Sequence, residues 1–265
     1  MYLDNPVFNL ISKTAFDNKT ELYVIGGYVR DMILGRPTTD IDIVVLGNGI
    51  EFAKKLSKAI GNKPRVSIFQ NFGTAMLRYY EYEIEFVGAR KESYRKDSRK
   101  PIIEGGSLED DQKRRDFTIN ALAVGLGIKN YGKLLDPFNG IEDIRKKIIR
   151  TPLDPLVTFS DDPLRMMRAI RFASQLGFKI ETSTLKAIKE NRERIKIVSQ
   201  ERITEELNKI LMTDRPSAGF SLFDETGLLE IILPEINAMK GIDVIEGKTH
   251  KDNFHHTIKV VDNLC

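Results

Sequence analysis

Cysteine is nearly absent from these 265 residues: one occurs, Cys265, so an internal disulfide and any cysteine-cluster metal site are excluded. That scarcity fits a reducing compartment, and the cytoplasm is the expected location. There is no apolar run near 18 residues and no leading segment of signal type, so the chain reads as soluble and without a membrane partner. Internal repeats and low-complexity tracts are also missing, and 41% apolar content excludes a disordered protein. The length suffices for two domains. Net charge is a modest +3, unevenly spread: between Arg145 and Arg202 there are 14 Lys/Arg against 7 Asp/Glu. Such a basic helical segment is as readily plain solvated surface as a binding face for a polyanion.

What is present is concentrated at residues 40–45, Asp-Ile-Asp-Ile-Val-Val. In a strand, Asp40, Asp42 and Val44 share one face while Ile41, Ile43 and Val45 fill the other. Two residues along a strand span about 7 Å, so the two carboxylates can converge on one point. Carboxylates held that way repel unless a cation lies between them. Mg²⁺ suits the pair, because it takes hard oxygen ligands and leaves positions for substrate phosphates, and two ions roughly 4 Å apart would serve phosphoryl transfer. Alone, the same pattern also describes a half-exposed strand with a polar face.

Upstream, Glu21–Ile25 is apolar and β-branched, Gly26-Gly27 follow, and Tyr28–Leu34 reads as a short helix closed by Gly35. Strand, double glycine and helix bring backbone N–H groups close to phosphate oxygens, and Arg30 in the first turn adds a charge. Further on, Glu81, Glu83 and Glu85 alternate with Tyr82, Ile84 and Phe86 and so share a face. Glu85 is the candidate third carboxylate of the catalytic set; exposed strand glutamates give the same alternation.

Four ordered motifs over residues 22 to 210 resemble the bacterial and eukaryotic (class II) tRNA nucleotidyltransferases and bacterial poly(A) polymerases. The first is Gly26-Gly27 through Arg30-Asp31 to Gly35-Arg36, followed by Asp40 and Asp42. The second, Arg114-Arg115-Asp116 through Asn120, is similar to the family's ribose-sensing motif. The third, Asp136-Pro137-Phe138-Asn139-Gly140, is similar to the passage from head to neck. The fourth, Asp161-Asp162-Pro163-Leu164-Arg165 with Arg168 and Arg171, is similar to the base-selecting helix. Asp161 departs from the family, which usually has Glu there.

The resemblance implies an α+β fold. A nucleotidyltransferase head of the DNA polymerase β-like type on a small mixed sheet (1–140) would be followed by an all-helical neck for base selection and RNA binding (141–212) and the start of a helical body (213–265). The chain's own pattern supplies strands near 21–26, 40–46, 66–69, 74–79 and 82–87 and helices at 49–60, 164–176 and 185–195. The stretch from Arg90 to Asp111 has no apolar period and reads as a long loop. In the family the corresponding loop helps the site change between CTP and ATP. The resemblance further implies CCA addition to tRNA from CTP and ATP with Mg²⁺, with poly(A) addition or an inactive RNA-binding head as alternatives. Asp40 and Asp42 would hold metal. Arg114 and Arg115 would meet phosphate, Asp116 a ribose hydroxyl, and Asp162 and Arg165 the base. Asp162 before Pro163 also has the form of a helix N-cap.

Residues His250–Thr257 resemble the opening of an HD-type metal phosphohydrolase domain. Such a site needs a later His-Asp dyad and a further Asp, none of which precedes Cys265, so the chain is expected to be a fragment. His256, a first ligand in a longer protein, is here expected to be helix surface.

Overall fold

The computed structural model describes residues 3, 5–61, 64–70, 73–95, 98–241, 244–245, 248–249 and 252–263. His250, Lys251 and Cys265 lie outside the described residues. The chain forms two compact units, one of residues 1–93 and 102–145, the other of residues 94–101 and 146–265.

The first unit opens with α1 (Pro6–Asp17), which the sequence pattern did not mark. Asn5 caps it by accepting from Val7 N, and Pro6 occupies its first turn. Then come β1 (Leu22–Ile25), α2 (Gly27–Ile33), β2 (Asp40–Val45) and α3 (Gly49–Ala59). The strands β3 (Val66–Phe69), β4 (Thr74–Tyr79) and β5 (Tyr82–Gly88) follow where the alternation placed them. Further along lie β6 (Arg90–Arg95) and β7 (Ser98–Gly105), whose residues 94–101 are counted with the second unit, then α4 (Leu108–Lys113), β8 (Ala123–Gly125), β9 (Leu134–Leu135) and α5 (Gly140–Lys146).

The main sheet runs β3-β4-β5-β2-β1-β8-β9. It is mixed: β2 and β5 are parallel, and the other neighbours are antiparallel. One face carries Ile41, Ile43, Val45, Ile84 and Phe86, each at most 1% exposed, with Phe52 and Leu56 of α3 packed over β4 and β5. Burying each such side chain contributes about 1.5–3 kcal/mol, which fixes the register, since a one-residue slip would turn this set to solvent. On the other face Tyr23, Ile25, Val44, Ala89 and Ala123 cluster, with Leu46, Val87, Leu108 and Leu135 packed against them. Asp42 and Glu85 share this face, in register on β2 and β5.

The expected loop at 90–111 is corrected by the structure: β6 and β7 form a two-stranded sheet, and α4 begins inside the same stretch. A ribbon standing outside a sheet core needs no apolar face, so periodicity carries no signal for it. Residues 96 and 97, between its strands, lie outside the described residues.

The second unit is helical, with β10 (Ile148–Ile149) and β11 (Lys179–Ile180) paired in parallel. Its helices are α6 (Pro155–Asp161), α7 (Leu164–Leu176), α8 (Thr182–Asn191), α9 (Gln200–Leu211), α10 (Pro216–Thr226), α11 (Leu228–Ile232) and α12 (Pro234–Asn237). A 3-10 helix (Arg192–Ile197) leads from α8 toward α9. The short pair β12 (Val244–Ile245) and β13 (Lys248–Thr249) precedes α13 (Asn253–Asp262). His256 is exposed on α13, as expected, and its neighbour His255 pairs with Asp252 at 2.8 Å. No helix of the described residues is long and apolar enough to cross a membrane.

Candidate active site

The parallel register of β2 and β5 places Glu85 directly beside Asp42, and Glu83 beside Asp40. In-register parallel neighbours point to the same face, so Asp40, Asp42, Glu83 and Glu85 rise from one side of the sheet. Asp40 is exposed and Asp42 half-buried. Solvent reaches Glu85, yet partial burial raises its pKa, and the Asp42 charge pushes the same way against the pull of Arg90 and Arg115. Glu83 is drawn aside into an ion pair with Arg78. Asp42, Glu85, Thr74, Val87, Arg90, Arg114 and Arg115 line a cavity of about 140 Å³. Among the described residues no group of three or more His, Cys, Asp or Glu is gathered as a ready-made metal cluster.

Gly26 closes one side of this arrangement. Its φ of +83° and ψ of −137° are open to glycine and strained for other residues. A Cβ there would stand 2.6 Å from Arg115 Nη1 and 3.2 Å from Asp42 Oδ2, so the missing side chain is what lets these two groups approach the backbone. The helix after it starts at Gly27, one residue earlier than the pattern placed it, and Gly35 ends the turn at φ +67°.

Arg114 and Arg115 are aimed by a residue the sequence reading passed over. Asp111, fully buried, accepts Arg114 Nε and Nη2 on one oxygen (2.9 and 2.6 Å) and Arg115 Nε on the other (3.2 Å). The signal was there: Ser107 and Asp110 form a capping box, and Asp111 then precedes the two arginines by three and four residues on one helical face. Thr74 and Arg90 are two further cavity residues that no motif marked.

Asp116 and Asn120 form a second layer with Arg30. Asp116 Oδ1 accepts from Phe117 N at 2.8 Å and from Asn120 Nδ2 at 3.0 Å. Asn120 Oδ1 in turn accepts from Arg30 Nη1 at 2.7 Å, while Arg30 forks onto Asp31 at 2.9 and 2.6 Å. Arg30 is only 6% exposed, so the structure places it as a tie between α2 and the Thr118–Asn120 turn. Asp136 braces the end of the head by accepting from Gly140 N and Ile141 N at 2.6 and 3.0 Å.

In the second unit, Asp162 Oδ1 accepts from Leu164 N at 3.3 Å and Asp162 O accepts from Arg165 N at 3.0 Å, which is N-cap geometry for α7. Arg165 is close enough to Asp161 to pull its pKa down, although burial, the largest effect, leaves it raised. Arg168 lies 5.4 Å from the Phe172 ring centroid. Arg171 is turned inward: it is 8% exposed and donates to Glu206 Oε2 (2.6 Å) and Gln175 Oε1 (3.0 Å), which ties α7 to α9.

Residues 22–150 match the family described as the poly A polymerase head domain, and residues 177–240 match the probable RNA and SrmB-binding site of polymerase A. The A-adding tRNA nucleotidyltransferase of Aquifex aeolicus is 41% identical over 80% of this chain and 25% of its own length. The CCA-adding enzyme of Lactobacillus helveticus is 40% identical over 83% of this chain and 53% of its own. The Thermotoga maritima CCA-adding enzyme, solved in complex with tRNA, superposes with a TM-score of 0.75 at 32% identity, over 87% of this chain and 53% of that one. This chain thus spans about half or less of the length of these relatives. With its head and its RNA-binding segment both matched, in the order the motifs run, the chain belongs to the poly(A) polymerase and tRNA nucleotidyltransferase family.

Proposed function

We propose that this chain supplies the catalytic head and base-selecting neck of an enzyme that adds nucleotides to the 3′ end of tRNA from CTP and ATP, releasing pyrophosphate. One observation carries the reading: Asp42 and Glu85 stand side by side on parallel strands, with Arg115 held over Gly26 at the same cavity. The relatives' names support the substrate: CCA-adding and A-adding enzymes, and solved neighbours bound to tRNA, to ATP and to CTP.

Each part of the site has a task. Arg114 and Arg115, fixed by Asp111, offer guanidinium donors to triphosphate oxygens and neutralise charge there. Gly26 and Gly27 let the backbone approach those phosphates. Asp116, held with Asn120 and Arg30, presents a carboxylate to a ribose hydroxyl. Asp162 and Arg165 are the candidate base-selecting groups: a base's amino group can donate to the carboxylate and its ring acceptors can take the guanidinium. Glu85, beside Asp42 on the neighbouring parallel strand, is the candidate third carboxylate of the catalytic set. Asp40 and Asp42 fit a divalent cation such as Mg²⁺: they are hard oxygen donors, Asp40 exposed at the start of β2, and a cation there would offset both the burial and the Asp42 charge that raise the Glu85 pKa. When bound, Mg²⁺ lowers the pKa of the hydroxyl and stabilises charge on the phosphate. The basic segment from Arg145 to Arg202 is the surface for the RNA backbone.

The test is direct. The protein is incubated with tRNA trimmed of its 3′-terminal nucleotides, CTP and ATP are supplied singly and together, and the products are sequenced. Ordered C, C, A addition supports the reading; A alone assigns A-adding activity, and long A tails assign poly(A) synthesis. No extension under any condition refutes a catalytic role for this chain.

A further inference from the structure

The corner between α6 and α7 has a hydrogen-bonding gap that the sequence itself creates. A helix leaves its last carbonyls without intrahelical donors. The donor for Ser160 O would be the N–H of Leu164, but Asp162 Oδ1 takes that N–H at 3.3 Å, and the residue between, Pro163, has none. The vacancy is filled from another element. Arg194, on the 3-10 helix Arg192–Ile197, donates both Nε (3.1 Å) and Nη2 (2.7 Å) to Ser160 O.

Arg194 does more than cap. Asp161 feels both Arg165 and Arg194 as stabilising positive charges and Asp162 as a repelling one. Four charged groups therefore meet at this corner, and three of them (Asp161, Asp162, Arg165) belong to the segment proposed to read the base. Arg194 alone comes from outside that segment, and its planar fork fixes where the segment leaves α6.

We infer that Arg194 is a positioning residue for nucleotide selection: by clamping Ser160 O it sets the orientation from which Asp162 and Arg165 meet the base. This rests on the base-selecting role of Asp162 and Arg165. Removing the clamp frees the corner to rotate, and discrimination suffers before the helices do, because α7 keeps its own cap and its buried tie to α9 through Arg171 and Glu206.

The experiment is isothermal titration of the protein with CTP, ATP, UTP and GTP, on wild type, Arg194→Ala, Arg194→Lys, Asp162→Asn and the Arg194→Ala/Asp162→Asn double variant. Arg194→Ala is expected to shrink the preference for CTP and ATP about five- to tenfold, the scale of one misplaced charge-assisted contact. Lysine keeps the charge but cannot fork, so Arg194→Lys recovers only part. In the double variant the loss is smaller than the sum of the two single losses, because Arg194 acts in part through Asp162 and keeps only its effect on Arg165. Unchanged preference in Arg194→Ala alongside a changed one in Asp162→Asn overturns the inference and leaves the base-selecting reading standing. Unchanged preference in both overturns that reading and the inference with it. If Arg194→Ala does not fold, Arg194→Lys decides: wild-type preference there overturns the inference.

Discussion

Replacing Gly26 by alanine puts two separable loads on the site. The first is in the backbone: φ +83° with ψ −137° costs a residue bearing Cβ about 1–3 kcal/mol. For a chain of this size each kcal/mol lowers the melting temperature by about 2–4 °C, so a drop of roughly 2–12 °C is expected. The second is steric: the new Cβ stands 2.6 Å from Arg115 Nη1 and must push it away. Arg115 is tied to Asp111 by a bond of 3.2 Å, longer than the 2.6 and 2.9 Å bonds of Arg114, so it is the guanidinium that yields. On the proposed phosphate-binding role of Arg115, its displacement should lower CTP affinity about tenfold, or 1.4 kcal/mol. A double-mutant cycle with Arg115→Ala separates the loads, read by thermal unfolding and by titration with CTP. In the Arg115→Ala background the thermal loss from Gly26→Ala should persist while its effect on affinity shrinks. If the thermal loss disappears with Arg115, the backbone angle carries no strain. If the affinity loss is the same in both backgrounds, displacement of Arg115 is not its cause.

Four further outcomes are expected. Asp40→Ala and Asp42→Ala should each abolish nucleotide addition with circular dichroism unchanged; wild-type rates at saturating Mg²⁺ in either would defeat the metal-site reading. Affinity for tRNA should fall steeply with salt if the Arg145–Arg202 excess follows the backbone, and a flat salt dependence would make those charges mere surface. Deleting the β6–β7 ribbon should slow the final A addition more than the two C additions, and equal loss of all three steps would make the ribbon structural. Asp161 has a raised pKa, so the folded state binds its proton more tightly than the unfolded chain and this group's stabilisation fades as pH rises above the ordinary carboxylate range. Asp161→Asn should therefore be more stable than wild type in urea at pH 7, with the gap closing as pH falls toward 4. A wild type that is the more stable at pH 7 would show that Arg165 and Arg194 outweigh burial.

Where a residue's neighbours along the chain decide its place, the sequence was readable. The alternation in Asp40–Val45 and Tyr82–Gly88 put the acidic and apolar sets on opposite faces, and the 3.6-residue period gave α7 its ends at Leu164 and Leu176. The strands β8 and β9 were not readable, being three and two residues long and held by the sheet rather than by their own pattern. The ribbon at β6 and β7 escaped because its residues carry no apolar rhythm. At the candidate site, the motifs pointed to candidate groups but not to the residues that hold them. Asp111 takes its meaning from two arginines in the next turn, and Arg194 from a carbonyl more than thirty residues away. Long-range partners of that kind leave no local mark, since any exposed arginine on a helix would look the same.

The parallel pairing of β2 with β5 has a consequence for how the molecule is assembled. Parallel neighbours cannot be joined by a tight turn, and the crossover here runs through α3, β3 and β4 before the chain returns. Asp42 and Glu85 are thus brought together by roughly forty intervening residues, and their meeting waits on closure of that whole excursion. A folding intermediate with only β1 and β2 zipped would already display Asp40 and Asp42, yet it would lack Glu85. The proposed site would then be completed late, and pulse-labelled amide exchange should find β5 protected after β1.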